Sequence, residues 1–271
     1  MPHDAAASPG AIHIVLQGKD GVGKSFAALH LAQYFGDHGV PTAVFDSNPL
    51  TPGLANYQAL GARYIDCMLD DGLRPTQFDT LANEILAASR HLVVLDTGSA
   101  SFFPMLGYLK CHGVLQAFSE LGRHVVIHSV LVGGAGARET LGGLVSMVEN
   151  LDADGYVAWL NSHLGTVTFD GKQFEETKAF GRTKNKLIGI VRGKQRAGTN
   201  QILHLKAVGE MMRRHLTYKE AFATPEIWLW DRQRLAEARR EVNGQLRAIF
   251  GAEERLSRPR SMGAEIATEG E

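Results

Sequence analysis

The segment Gly18 to Ser25, GKDGVGKS, carries the residue types that can hold a polyphosphate. Gly18, four residues, Gly23, Lys24 and Ser25 satisfy the spacing G-x-x-x-x-G-K-[ST] in full. Glycines at 18, 21 and 23 let backbone N–H groups turn inward around an anion. Lys24 is placed to reach the β and γ phosphates, and the Ser25 hydroxyl to coordinate Mg²⁺ at the positive end of a helix. Val22 and Phe26 belong to the same predicted nucleotide-binding stretch. A glycine-rich turn with a solvated lysine is the bland alternative. Chance matches to the pattern seldom lie between a buried strand and a helix, and here Ile12 to Leu16 precedes the loop and Phe26 to Phe35 follows it.

One carboxylate stands where chemistry on such a nucleotide needs it. The apolar run HLVVL, His91 to Leu95, ends in Asp96, a Walker B pattern that sets an acid where Mg²⁺ would sit. A cap on the following turn is the competing role for that aspartate. Thr42 to Phe45 reads as a second buried strand ending in Asp46, and the small residues Thr97 to Ser101 suit a loop that senses the γ phosphate.

These residues need a scaffold, and the rest of the pattern predicts one. Pro75 to Ser89, Met105 to Leu121 and Arg138 to Leu151 have helical periods, while Val125 to Val132 and Gly155 to Leu160 read as buried strands, the latter closing at Asn161. Alternating strands and helices predict an α/β fold: a three-layer, doubly wound, mostly parallel sheet with helices on both faces. The expected organisation is a disordered leader over 1–10, one domain over 11–250 and a disordered tail over 251–271.

Bulk composition excludes more than it assigns. The formal net charge of −1 gives no global bias toward nucleic acid or membrane. Cys67 and Cys111 form no CxxC pair, and no run approaches the ~20 apolar residues that span a bilayer, so a cytoplasmic, non-integral protein is expected, at most peripheral to the inner membrane. From Arg182 to Lys219 the local sequence is basic, opposed in that stretch only by Glu210; DNA, an acidic membrane surface, an acidic protein surface or plain solvent could each face it. Asp231 to Phe250 reads as an amphipathic helix that packs on its own domain, pairs with a partner helix or lies on a membrane.

With these pieces in place, the chain resembles the deviant Walker A ATPases of the partitioning and division-site (ParA/MinD) type, through KDGVGKS at Lys19 to Ser25. LQGKDGVGKS, FDSNP, TGSASF, VLVGGAG and YVAWLN are further similar to the TraL conjugal-transfer family of broad-host-range plasmids. The resemblance implies ATP or ADP with Mg²⁺, a nucleotide-dependent homodimer and a partner in the conjugation or partition machinery. It further implies that Lys19 crosses the dimer to the neighbour's phosphate, by the logic of an arginine finger. Asp46 and Asp96 would support Mg²⁺ and the switch loops, and Asn161 would contact adenine. Two departures stand out: Asp20 replaces the first glycine after the signature lysine, and Asn48 replaces the second acid of the family's Asp-x-Asp. An amide holds a water but does not act as a carboxylate base, so slow or partner-dependent hydrolysis is expected. The competing classes are an ATP-dependent synthetase and a nucleotide-locked binding module. A cluster-bridging iron protein is disfavoured because Cys67 precedes the Walker B strand, and a GTPase because Ile188 stands where Asn185-Lys186 would need an acid.

Overall fold

The computed structural model describes residues 10–257 apart from 51, 70, 71, 90 and 197. The first strand, β1 (Ile12–Val15), feeds the glycine-rich loop and α1 (Lys24–Asp37). Then come β2 (Thr42–Asp46), β3 (Arg63–Tyr64), a hairpin of β4 (Met68–Leu69) and β5 (Gly72–Leu73), α2 (Pro75–Ala87) and β6 (Leu92–Asp96). The chain continues through α3 (Phe102–Cys111), α4 (Val114–Glu120), β7 (Val125–Leu131), α5 (Ala137–Asn150) and β8 (Gly155–Leu160). It ends with α6 (Lys178–Thr183), β9 (Leu187–Arg192), α7 (Gly198–Arg213), α8 (Tyr218–Ala223) and α9 (Leu229–Ser257).

The main sheet has the order β3-β2-β6-β1-β7-β8-β9, with parallel pairing throughout. Strand order reverses at β1, and that puts the loop after β1 in the crevice at the carboxyl edge. Side-chain alternation puts a core cluster on each face of the sheet, and a third, with Leu131, Leu144, Leu160 and Phe174, lies beside β7, β8 and α5. Ile12, Ile14, Val93, Leu95 and Ile127 pack with α2, α3 and α4; Val15, Val94, Val126, Val157 and Trp159 pack with α1, α7, α8 and α9. The expected three-layer α/β architecture is therefore the observed one.

Several boundaries differ from expectation for identifiable reasons. Met105 to Leu121 is two helices, because Gly113 adopts φ 60 between α3 and α4. Residues 1–9 of the expected leader lie outside the described residues. Gly10 is buried, its N–H donating to Ser89 O at 3.1 Å, so the ordered chain begins before residue 11. At the other end α9 runs to Ser257, beyond the expected limit of 250, since GAEERLS continues in helix formers. The rest of the expected tail, 258–271, lies outside the described residues. Leu235, Leu246 and Phe250 of α9 are buried, so its apolar stripe is spent on its own domain.

The basic stretch over 182–219 also resolves differently. It contains the edge strand β9, and five of its ten Lys and Arg residues meet acids from elsewhere in the chain: Arg182 with Glu149, Lys186 with Asp152, Arg192 with Glu175, and Lys194 and Arg196 with Glu237 and Glu241. That pairing lowers the net positive charge of this face, although most of the pairs are exposed and each contributes little.

Arg123, 1% exposed, ties three segments together. Its Nε donates to Gly10 O at 2.7 Å, Nη1 to Ile85 O at 2.6 Å and Nη2 to His91 O at 2.9 Å. The cation thus sits at the negative end of α2. Arg123→Leu is expected to lower unfolding free energy by about 3 kcal/mol, because it strands buried carbonyls. A shift of the urea midpoint at unchanged slope is the measurement.

Candidate functional site

The loop from Leu16 to Gly23 is held from both sides. The buried amide of Gln17 donates to Ser129 Oγ at 3.0 Å, Val130 O at 3.2 Å and Thr140 O at 3.1 Å. Its Oε1 accepts from Gly18 N at 2.8 Å, so one side chain fixes the loop's start against β7 and α5. A Cβ on Gly18 would lie 3.0 Å from the Phe102 ring, which closes the other side. Gly21 and Gly23 take φ 68 and 101, left-handed values that favour glycine and turn the chain around the loop centre.

Lys24 is 5% exposed, and its Nζ donates to Lys19 O at 2.9 Å across the loop. Burial lowers its pKa from the ordinary value, while the charges of Asp20 and Asp96 hold it up. Asp20 is exposed at the tip, yet its charge reaches Lys24.

Asp96 and Ser25 face each other across a space kept open by glycine. A Cβ on Gly53 would lie 2.4 Å from Ser25 Oγ and 2.6 Å from Asp96 Oδ2. Asp96 is fully buried and neither carboxylate oxygen has a hydrogen-bond partner of good geometry. Burial pushes its pKa up to about 7; the nearby Ser25 hydroxyl opposes that shift, Asp46 adds to it and Lys24 opposes it. An orphaned carboxylate beside a hydroxyl is a hard-oxygen donor pair, which fits Mg²⁺. Among the described residues no group of three or more His, Cys, Asp or Glu side chains could hold a metal, so phosphate oxygens or water would complete the shell.

Asp46 has a different job from Asp96. Its Oδ1 accepts from Asn48 N and its Oδ2 from Ala55 N, both at 3.0 Å, which folds the loop after β2 over the site. Burial raises its pKa, and backbone N–H groups of Ala55, Asn48, Gly53 and Leu54 oppose the shift. Asp46 therefore holds the loop that carries Gly53, with its oxygens turned to that loop's backbone N–H groups. Asn48 lies over the second loop: a Cβ on Gly98 would be 2.6 Å from its Oδ1. That loop is less free than its small residues imply, for Thr97 is buried and donates to Val15 O at 2.7 Å.

Asn161 sits on the loop itself. Its Nδ2 donates to Val22 O at 2.7 Å and its Oδ1 accepts from His163 N at 3.0 Å, so both ends of the amide are engaged. Beside it opens a cleft of about 260 Å³ lined by Gly23, Phe26, Asn161, Gly193, Val208 and Val242 among others. Its rim carries Arg196, 10% exposed and paired with Glu241 at 2.8 Å.

Lys19 points away from the cradle, and its Nζ lies 3.2 Å from Glu139 Oε2. The structure thus brings Lys24, Ser25 and Asp96 together, with Asp46 behind them, Asn161 to one side and Lys19 outside. Gln17, Gly53, Thr140 and Glu139 were not legible as site residues. Gln17 abuts the motif, but nothing in the local sequence marks the other three.

A strand, glycine-rich loop and helix at the reversal point of a parallel sheet, with a buried acid closing the neighbouring strand, define a P-loop NTPase fold. No protein-family model matches the chain. The chain belongs to the TraL family: it is 34% identical over 238 residues to Protein TraL of Escherichia coli, covering 88% of this chain and 97% of that protein. A second Protein TraL of Escherichia coli is 31% identical over 236 residues, covering 87% and 96%. Among solved structures the chain is similar to the cell division protein MinD of Aquifex aeolicus, with TM-score 0.46 and 13% identity over 87% of this chain and 98% of that one. No helix among the described residues is long and apolar enough to cross a membrane.

Proposed function

We propose that the protein is an ATP-binding dimerisation switch of the partitioning type, acting in plasmid conjugal transfer or maintenance and hydrolysing slowly or only under a partner's stimulation. The observation that carries the reading is the buried, partnerless Asp96 carboxylate facing Ser25 across the Gly53 space, beside Lys24. That arrangement has an energetic cost in the free protein and a use once Mg²⁺ and a triphosphate arrive. Ser25 and Asp96 would hold the Mg²⁺, which would neutralise charge on the β and γ phosphates. Lys24 would exchange Lys19 O for phosphate oxygens. The adenine would enter the cleft beside Phe26, with the Asn161 amide at its edge.

Slow turnover follows from what the acids are doing. Both oxygens of Asp46 accept backbone N–H groups, and Asn48 offers an amide that orients a water without taking its proton. The transfer step would then depend on Lys19 from a second copy to stabilise charge at the phosphoryl group. Leu50, on the loop after β2, and Phe103, in the first turn of α3, are 72% and 74% exposed and are apolar surface suited to such a contact. Saturation of Asp46 also favours a second reading, a module that binds nucleotide and never turns it over. Gel filtration with light scattering at saturating Mg·ATP and Mg·ADP tests the switch. A dimer in ATP alone is expected, and a monomer in both would overturn it. Turnover of dimeric protein, assayed alone and with conjugation components, separates a slow engine from a locked module.

A further inference from the structure

We propose that Glu139 is a positioning residue for Lys19, holding the signature lysine within its own protomer until a second copy presents a γ phosphate. This rests on the dimerisation reading above. The Lys19 Nζ to Glu139 Oε2 distance is 3.2 Å, and both side chains are about half exposed. The pairing is built by the loop's own anchor. Gln17 donates to Thr140 O at 3.1 Å, and a Cβ on Gly143 would lie 2.5 Å from Gln17 Oε1, so the first turns of α5 are fixed against the loop's start. Glu139 precedes Thr140 in that turn, and Lys19 follows Gln17 by two residues. A buried amide therefore sets the spacing at which a surface carboxylate meets a surface ammonium.

The two lysines of the loop are then both held at home, Lys24 by Lys19 O and Lys19 by Glu139. The second hold is the weak one, since exposed ion pairs contribute little and are screened by salt. Weakness suits a threshold. The highly charged triphosphate of a facing protomer outcompetes one solvated carboxylate, while a diphosphate lacks the group that Lys19 would reach. Glu139 thus opposes dimerisation in proportion to the strength of one surface pair.

The experiment titrates ATP into wild type, E139Q and K19A under light scattering, with ADP as the control. E139Q keeps the side chain's length and removes its charge. Its half-maximal ATP concentration for dimerisation is expected to fall by about two- to fivefold, the range of an exposed pair. The difference should shrink as salt rises from about 0.05 to about 0.5 M. K19A should form no ATP dimer. If E139Q shows an unchanged or raised ATP midpoint while wild type dimerises and K19A does not, Glu139 has no such role and the switch reading stands. A purely structural role would instead lower the melting temperature of E139Q without moving the midpoint. If wild type stays monomeric in ATP, the reading beneath the inference fails.

Discussion

Asp96→Asn is expected to stabilise the ligand-free protein above pH 7 while abolishing the magnesium-dependent part of nucleotide binding. The carboxyl titrates at about 7 in the folded chain, raised first by burial and further by Asp46, against an ordinary value of 3.8. Between those values the folded state keeps a proton that the unfolded state has released. Stability from this group therefore falls as pH rises from 4 to 7 and stays low above that. The shift corresponds to roughly 2–4 kcal/mol at pH 8, which the amide would restore. The measurement is urea unfolding of both proteins at pH 5 and pH 8, with the gap opening only at the higher pH. Adding Mg·ATP should reverse the order, raising the melting temperature of wild type and leaving the variant nearly unmoved. A variant less stable than wild type at pH 8 without ligand would show that Asp96 is a structural acid with partners, and the metal assignment would fall.

Acid acts on different groups and with the opposite sign. Burial pushes His30 down to about 3, with the Arg239 charge adding to it, and holds His128 well below its usual range. His128 Nδ1 accepts from Trp159 Nε1 at 3.0 Å, so its Nε2–H faces His13 Nδ1 at 2.9 Å, an arrangement that needs a neutral ring. Both histidines stabilise the fold fully above pH 6.5 and lose that contribution as pH falls through their lowered pKa values, about 3 for His30.

What the sequence made legible follows physical range. The order of strands and helices, the cradle and the acid closing β6 are local patterns in which each residue's neighbours in sequence decide its role. Lys24, Ser25 and Asp96 accordingly meet where spacing placed them. Roles that depend on which acid meets which base across the fold were hidden. Half of the basic run over 182–219 pairs with Glu149, Asp152, Glu175, Glu237 and Glu241, acids that no local pattern places beside it. Asp46 looks like a second metal acid until the backbone N–H groups of its own loop fill its oxygens. Arg123 looks like a surface arginine before a strand, and nothing nearby in sequence reveals the carbonyls of Gly10, Ile85 and His91. Gly53 has no motif at all; only the approach of Ser25 Oγ and Asp96 Oδ2 shows why a side chain there would fill the space between them.

Lys24→Ala is expected to weaken Mg·ATP binding on the order of 100-fold with little loss of fold stability, since charge-assisted hydrogen bonds to two phosphates disappear. The free protein tolerates the change because Lys24 is costly to hold there: burial lowers its pKa, and its Nζ donates to a loop carbonyl, Lys19 O. Removing the cation ends that desolvation cost and exposes the carbonyl to water entering the emptied cradle. Lys24→Arg should fail almost as badly, because a planar guanidinium is too broad for a path drawn tight by Gly21 and Gly23 and cannot act as a compact point charge. Calorimetry with Mg·ATP, read beside the melting temperature of each free variant, separates binding from folding. Wild-type affinity in Lys24→Ala would mean that phosphate lies elsewhere, and the cleft beside Phe26 would then no longer be the place for the base.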